Sequence, residues 1–277
     1  MPTGSYSKIK LRRVGFCGAD DSVEPRLLRA ISLQHHWVEW GVLFREEKRG
    51  EPRYASDKWL DKLGAVNSDR LMLLAAHVCS ARVDELLRGD GTFVRRLNEE
   101  VGFQRVQINA TAANGADVSV FADEEGAAKC VECLRRVFAT LPQIEFIMQR
   151  NGETRPLWER LMVEPPENMS MLYDESMGMG FTSNSWPAPQ LEVPFGYAGG
   201  ISPTNIASQL RQMELSAPGH SFWIDMESSL RTSLKDGRDI FDCNKAMCCV
   251  EHVMQSGCVF DIDDSEPPSQ RRKITHK

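Results

Sequence analysis

The feature that most constrains this chain is an eightfold alternation of short apolar runs with stretches of helical periodicity. The runs cover residues 13–18, 37–44, 71–78, 105–110, 144–149, 170–173, 195–198 and 222–226. Continuous apolar runs this short read as strands buried on both faces, the situation in a parallel sheet covered by helices. Helical spacing follows in 23–33, 56–63, 81–100, 124–140, 156–162, 203–213 and 242–255. Asp21-Ser22 and Pro25 mark the first helix start, while Gly89 and Gly91 divide the stretch at 81–100. Eight strand-helix units can close into a barrel or open into a doubly wound sheet. Their number and spacing favour a closed (β/α)8 TIM barrel, an α/β fold, as one domain over 1–260. The charged, proline-bearing tail at 261–277 is expected to be disordered.

At 277 residues the chain suits such a barrel, which takes about 250 in one domain. Its net charge of −6, with no basic block before the last few positions, argues against nucleic acid as the main partner. No run reaches the roughly 20 apolar residues of a membrane span, so no membrane partner is expected. Residues 1–13 are basic but lack the apolar centre of a signal peptide. The eight cysteines fall inside periodic segments rather than forming the framework of a small secreted domain. A cytoplasmic location is the expectation.

A barrel of this kind builds its site from the C-terminal strand ends and the loops after them. The polar residues there are Cys17 after the first run, Arg53 beyond the second and His77 ending the third. Gln107 and Asn109 end the fourth, Gln149 the fifth and Asp174 the sixth. Gly199 and Gly200 follow the seventh, and Asp225, Glu227 and Ser228 close the eighth.

These positions carry a resemblance. The first run ends FCG, at Cys17; residues 51–56 read EPRYAS; the fourth run reads VQINA. Asp174 is followed by MGMG, ending at Gly180; residues 198–206 read AGGISPTNI, and 225–231 read DMESSLR. In order and position, from about Val14 to Val253, this resembles the phosphoribosylanthranilate isomerase family of ribulose-phosphate-binding barrels. Its motifs at these strands are K-I-C-G, S-P-R-Y-V-S, V-Q-L-H-G, G-G-T-G, A-G-G-L-x-P-E-N-V and D-V-S-S-G-V-E. The resemblance implies an Amadori rearrangement of a phosphoribosyl amine, with Cys17 as base and Asp174 as acid. Such a pair must flank the sugar, with pKa values set by different surroundings. It also implies Arg53 as the grip on a substrate carboxylate. Gln107, Asn109, Gly180, Gly199, Gly200, Asp225, Glu227, Ser228 and Arg231 would complete the substrate site. The expected ligand is a small anionic metabolite such as a sugar phosphate. No cofactor and no metal are expected, and the oligomeric state stays open.

The chain departs from that pattern at the phosphate loop. The family's S-S-G is E-S-S here, so Glu227 places an anion where a dianion should rest and Ser229 replaces a glycine. Gly15-Phe16 replace a lysine-bearing pair, and Asn109-Ala110 replace His-Gly. An alternative is therefore a non-catalytic ligand-binding or regulatory protein on the same scaffold.

Each candidate also has a plain structural reading. Cys17 can be a small core residue, Asp174 a loop cap, and Arg53 half of a surface ion pair. Gly199 and Gly200 can be a tight turn, and Asp225 a loop organiser. Glu227 and Arg231 are expected to pair with each other, and His77 reads as a structural histidine. Cys130 and Cys133 lack the second cysteine pair of a zinc site. No strand-end lysine suits a Schiff-base aldolase.

Overall fold

The computed structural model describes residues 8–174 and 185–261. Eight parallel strands form the barrel: β1 (Lys10–Cys17), β2 (Val38–Phe44), β3 (Leu73–Val78), β4 (Arg105–Ile108), β5 (Glu145–Arg150), β6 (Met169–Tyr173), β7 (Phe195–Ala198) and β8 (Ser221–Met226). Each pairs with its sequence neighbour, and β1 also pairs with β8, so the sheet closes on itself. That excludes the doubly wound alternative, whose sheet keeps two edges.

The helices are α1 (Pro25–Gln34), α2 (Asp57–Val66), α3 (Ala81–Leu87), α4 (Thr92–Arg96), α5 (Glu124–Thr140), α6 (Arg155–Val163), α7 (Ile206–Ser216) and α8 (Cys243–Gln255). Two of them, α3 and α4, share the β3–β4 connection, split where Gly89 and Gly91 stand. The described part of the β6–β7 connection, 185–194, is irregular. Local chemistry sets the helix starts. Pro25 opens α1, the Ser56 side chain accepts from the Trp59 amide to cap α2, and Asp123 accepts from the Gly126 amide to cap α5.

Strand alternation sorts the side chains into two environments. Val38, Trp40, Val42 and Phe44 of β2 belong to the large apolar core between barrel and helices, as do Val106 and Ile108 of β4. The intervening Glu39, Gly41 and Leu43, and Arg105 and Gln107, turn into the barrel.

The barrel interior is ionic at its N-terminal end. The Arg105 guanidinium is buried between Glu39 at 2.7 Å and Glu145 at 2.9 Å, and Arg13 also reaches Glu39 at 3.1 Å. It lies 4.2 Å from the ring centroid of Trp223, a cation–π contact. Burial pulls the Glu145 carboxyl upward, but the Arg105, Arg13 and Arg12 guanidiniums more than reverse this and hold it at about 2. Ile147, Leu172 and Trp223 pack as a separate apolar cluster inside the barrel.

Two additions were not visible as apolar runs. A hairpin of β9 (Arg231–Ser233) and β10 (Asp239–Phe241) stands between β8 and α8. A last strand, β11 (Val259–Phe260), runs parallel to the start of β1, where β2 does not yet pair. Phe260 stacks on Trp37 with ring centroids 4.3 Å apart. Strands of two or three residues carry too little periodicity to register in a sequence. Residues 262–277 of the expected tail, and Gly180, lie outside the described residues. No helix among the described residues is long and apolar enough to cross a membrane.

Candidate functional site

The C-terminal strand ends bring most of the expected residues to one mouth. Cys17, at the end of β1, is fully buried beside Leu43 and Cys79, with Tyr54 against the cluster. Its Sγ lies 3.3 Å from Nδ1 of His77, the inward-facing residue near the end of β3. Gly41 of β2 makes this approach possible. A Cβ there would stand 2.9 Å from the Cα and Cβ of Cys17 and from Nε2 of His77, closer than real Cβ contacts.

Electrostatics keep both partners neutral. Burial pushes the Cys17 thiol well above its ordinary range, and Glu227, Asp225 and Cys79 push it further. Burial lowers His77 to about 3, with the Arg105 charge adding to the effect. At neutral pH this is therefore a thiol beside a neutral imidazole, not a preformed thiolate.

Carboxyl groups converge on the same mouth from β6 and β8. Asp174 follows β6, is buried, and accepts from Gln149 Nε2 at 3.3 Å. The other amide atom, Gln149 Oε1, is buried and has no hydrogen-bond partner among the described residues. Asp225 of β8 occupies the space that the missing side chain of Gly15 leaves on β1. Burial lifts the Asp225 carboxyl well above the usual range, aided by Glu39, Glu227 and Asp174 against an opposing Arg105. Burial also lifts Glu227, where Arg53 and Arg231 pull down and Asp174 pushes up.

The rest of the set is held by the loops. Gln107 Nε2 donates to Asn109 Oδ1 at 2.9 Å, and Asn109 Nδ2 donates to Cys79 Sγ at 3.4 Å, so both are committed within the barrel. Gly199 and Gly200 have φ of +114° and +63°, a turn that a side chain would strain. Asn205 secures that turn by donating to the Gly200 carbonyl and accepting from the Ser202 amide, both at 2.8 Å. Ser228 is exposed at the start of a single 3₁₀ turn. Ser229, in the same turn, donates to the Ile201 carbonyl.

The arginines take partners that differ from the expected ones. Arg231 does not form an ion pair with Glu227. Its buried guanidinium donates to Asp20 Oδ2 and to the Gly18 carbonyl, both at 2.8 Å, and to Asp239 Oδ1 at 3.2 Å. Its place at the start of β9 explains this, because the hairpin carries it over the loop that follows β1. Arg53 instead reaches Glu227 at 3.4 Å and Asp239 at 3.3 Å. Its backbone has φ of +78°, stabilised by an amide hydrogen bond to Asp20 Oδ2 at 2.6 Å. Its side chain stays 35% exposed, so solvent reaches it where Arg231 is sealed at 3%.

Sequence reasoning missed Asp20 and Asp239. Asp20 joins the loops after β1 and β2 to the hairpin, yet it lies three residues past Cys17, where sequence reasoning read only a helix start. The signal that could have found it is Asp20-Asp21-Ser22 after a strand-end Cys-Gly. Among the described residues, no three His, Cys, Asp or Glu side chains form a group suited to a metal ion.

No protein-family model matches this chain, and no curated protein matches it. Several solved structures are similar in fold. Phosphoribosylanthranilate isomerase from Thermotoga maritima, in its monomeric form, matches with 13% identity over 88% of this chain and 99% of that one, at a TM-score of 0.47. D-Psicose 3-epimerase from Clostridium cellulolyticum, with D-tagatose, matches at 12% over 88% and 96%, TM-score 0.48. 3-Hexulose-6-phosphate synthase from Salmonella typhimurium matches at 12% over 88% and 99%, TM-score 0.44. Likeness at this level carries no argument about activity.

Proposed function

We propose that this chain is an isomerase-type barrel that moves a proton within a small sugar phosphate or a related anionic metabolite bound at the mouth. The observation that carries the reading is the convergence of Asp174, Asp225 and Glu227 beside the Cys17–His77 contact. Proton transfer needs an acid and a base with pKa values driven apart by their surroundings. Burial and repulsion from neighbouring carboxylates raise Asp225 well above the usual carboxylate range, which favours a carboxylic acid able to donate. In this reading Asp174 is the acid nearest the β6 end and Cys17 the base at the β1 end. The vacant Gln149 Oε1 accepts a substrate hydroxyl, since a buried acceptor without a partner is costly. Arg53 is the grip on the anionic group. Its contacts with Glu227 and Asp239 are long, so a ligand anion can replace them.

A second reading is a ligand-binding protein without turnover. It is favoured by the complete burial of Cys17 and by the pairing of Arg231 with protein carboxylates. One experiment separates the two. The protein is incubated in D2O with ribulose 5-phosphate, fructose 6-phosphate and their unphosphorylated sugars, and carbon-bound deuterium is read by proton NMR. Deuterium at the carbon next to the carbonyl supports the isomerase. A rise in melting temperature with ligand but no deuterium supports binding alone. The absence of both responses with every one of these sugars refutes the sugar reading.

A further inference from the structure

We infer that His77 is the proton acceptor for Cys17, so that base catalysis at the mouth runs through a thiol–imidazole relay rather than through a free thiolate. The inference rests on the isomerase reading and gives a role to a buried histidine that the reading leaves unused.

Geometry supports it first. Sγ and Nδ1 lie 3.3 Å apart, within reach of a thiol hydrogen bond, and both are buried. With the thiol protonated, Nδ1 accepts and Nε2 carries the ring proton. Gly41 is the residue that permits this approach, because any side chain there would collide with both partners. A histidine that merely filled the core would not need a glycine opposite it to meet a cysteine.

The charges around the pair explain why a relay is required. Asp225 and Glu227 face Cys17 from β8, Cys79 from the end of β3, and Tyr54 from the loop after β2. Asp225, Glu227 and Cys79 each oppose the loss of the thiol proton to solvent. Arg105, from β4, opposes a standing imidazolium at His77. Neither group therefore ionises alone. A concerted transfer avoids both isolated charges. As Sγ takes the proton from the substrate carbon, the thiol proton passes to Nδ1. The C–H electron pair becomes the double bond of an enol, and the carbonyl oxygen takes a proton from the mouth acid. The imidazolium is transient: as the thiol proton goes to the product carbon, Nδ1 returns its proton to Sγ, and the enol oxygen returns its proton to the mouth acid. His77 is a positioning and relay residue; Cys17 is the group that touches substrate.

The test uses iodoacetamide, with alkylation of each cysteine followed by peptide mass spectrometry from pH 5 to 9. Cys79 is the internal control. Its thiol is likewise buried, raised to about 12, and receives a hydrogen bond from Asn109 instead of giving a proton to histidine. A thiol that must ionise first should react about tenfold faster per pH unit. The relay predicts that Cys17 reacts at a nearly constant rate over this range while Cys79 climbs. His77→Asn keeps an acceptor near the Nδ1 position but cannot take up a proton, so it should give Cys17 the same tenfold slope. A Cys17 rate that already climbs like that of Cys79 in the unaltered protein overturns the inference. So does a Cys17 that iodoacetamide never reaches in the native fold. The comparison within the unaltered protein stands even if His77→Asn fails to fold. A flat Cys17 profile without deuterium incorporation into any sugar would refute the isomerase reading, and with it the catalytic use of the relay, while showing that the thiol–imidazole proton transfer exists.

Discussion

Replacing Arg105 with Met is the most direct test of what holds the barrel interior together. The guanidinium is 2% exposed and bonds two carboxylates, Glu39 at 2.7 Å and Glu145 at 2.9 Å. Methionine fills most of the volume but leaves those carboxylates inside the barrel without their main counter-charge. Breaking a buried pair by removing one partner costs about 3–5 kcal/mol, because the uncompensated charge remains. A second route gives a similar size. Glu145 is held at about 2 against an ordinary 4.5, which corresponds to roughly 3 kcal/mol of stabilisation at neutral pH, the largest lowering contribution coming from Arg105 with Arg13 and Arg12 supplying the rest of the cationic pull. Arg13 keeps one contact to Glu39 at 3.1 Å, and with Arg12 it still acts on Glu145, which softens the loss.

Urea unfolding at pH 7, followed by tryptophan fluorescence and far-UV circular dichroism, reads the change. In a thermal melt of the same proteins, a loss of about 3–5 kcal/mol should lower the melting temperature by roughly 6–20 °C in a chain of this size. The pH dependence supplies a sign. A depressed carboxyl contributes stability above its unfolded pKa of 4.5 and loses it as the pH falls toward 2. The gap between wild type and Arg105→Met should therefore be widest near neutrality and narrow as the pH falls toward 2. A loss below about 1 kcal/mol, or a gap independent of pH, would refute the claim that this cluster is a paired, buried network.

Two further substitutions address the mouth. Arg231→Met leaves the buried Asp20 without its 2.8 Å partner and releases the hairpin from the loop after β1. It should cost about 3–5 kcal/mol in urea unfolding and make residues 234–238 a preferred site of limited proteolysis; unchanged cleavage there would show that the hairpin is held by other contacts. Glu227→Gln removes the anion 3.4 Å from Arg53 while keeping its shape. Inorganic phosphate should then bind about tenfold more tightly by isothermal titration, since a nearby like charge costs this much or more at partly screened sites, and equal affinity in the two proteins would place the anion elsewhere.

Much of the fold was legible because burial writes itself into sequence at two periods. The all-buried run of β2 and the seventeen-residue amphipathic α5 each need one environment along their whole length. Strand-end positions were legible for the same reason, since knowing where a strand stops places Cys17, Asp174 and Asp225 at or near the mouth. The ion network was not legible. Arg231 joins Asp20 and Gly18, more than two hundred residues earlier, and no local pattern announces such a partner. Glu227 four residues before Arg231 in sequence suggested a pair, but the hairpin turns the arginine to the β1 loop and leaves Glu227 to Arg53.

The alternation of apolar runs and amphipathic stretches thus determined, by itself, that eight parallel strands would be covered by helices and that their polar ends would line one mouth. Only the tertiary structure decided what those ends do to one another. Barrel closure sets β1 between β2 and β8, bringing Gly41 under the Cys17–His77 contact and Asp225 into the space beside Gly15. A strand's period is a local property of the backbone, whereas a pKa and an ion pair depend on distances across the barrel. That is why the same sequence that disclosed the scaffold did not disclose the charge state of its site.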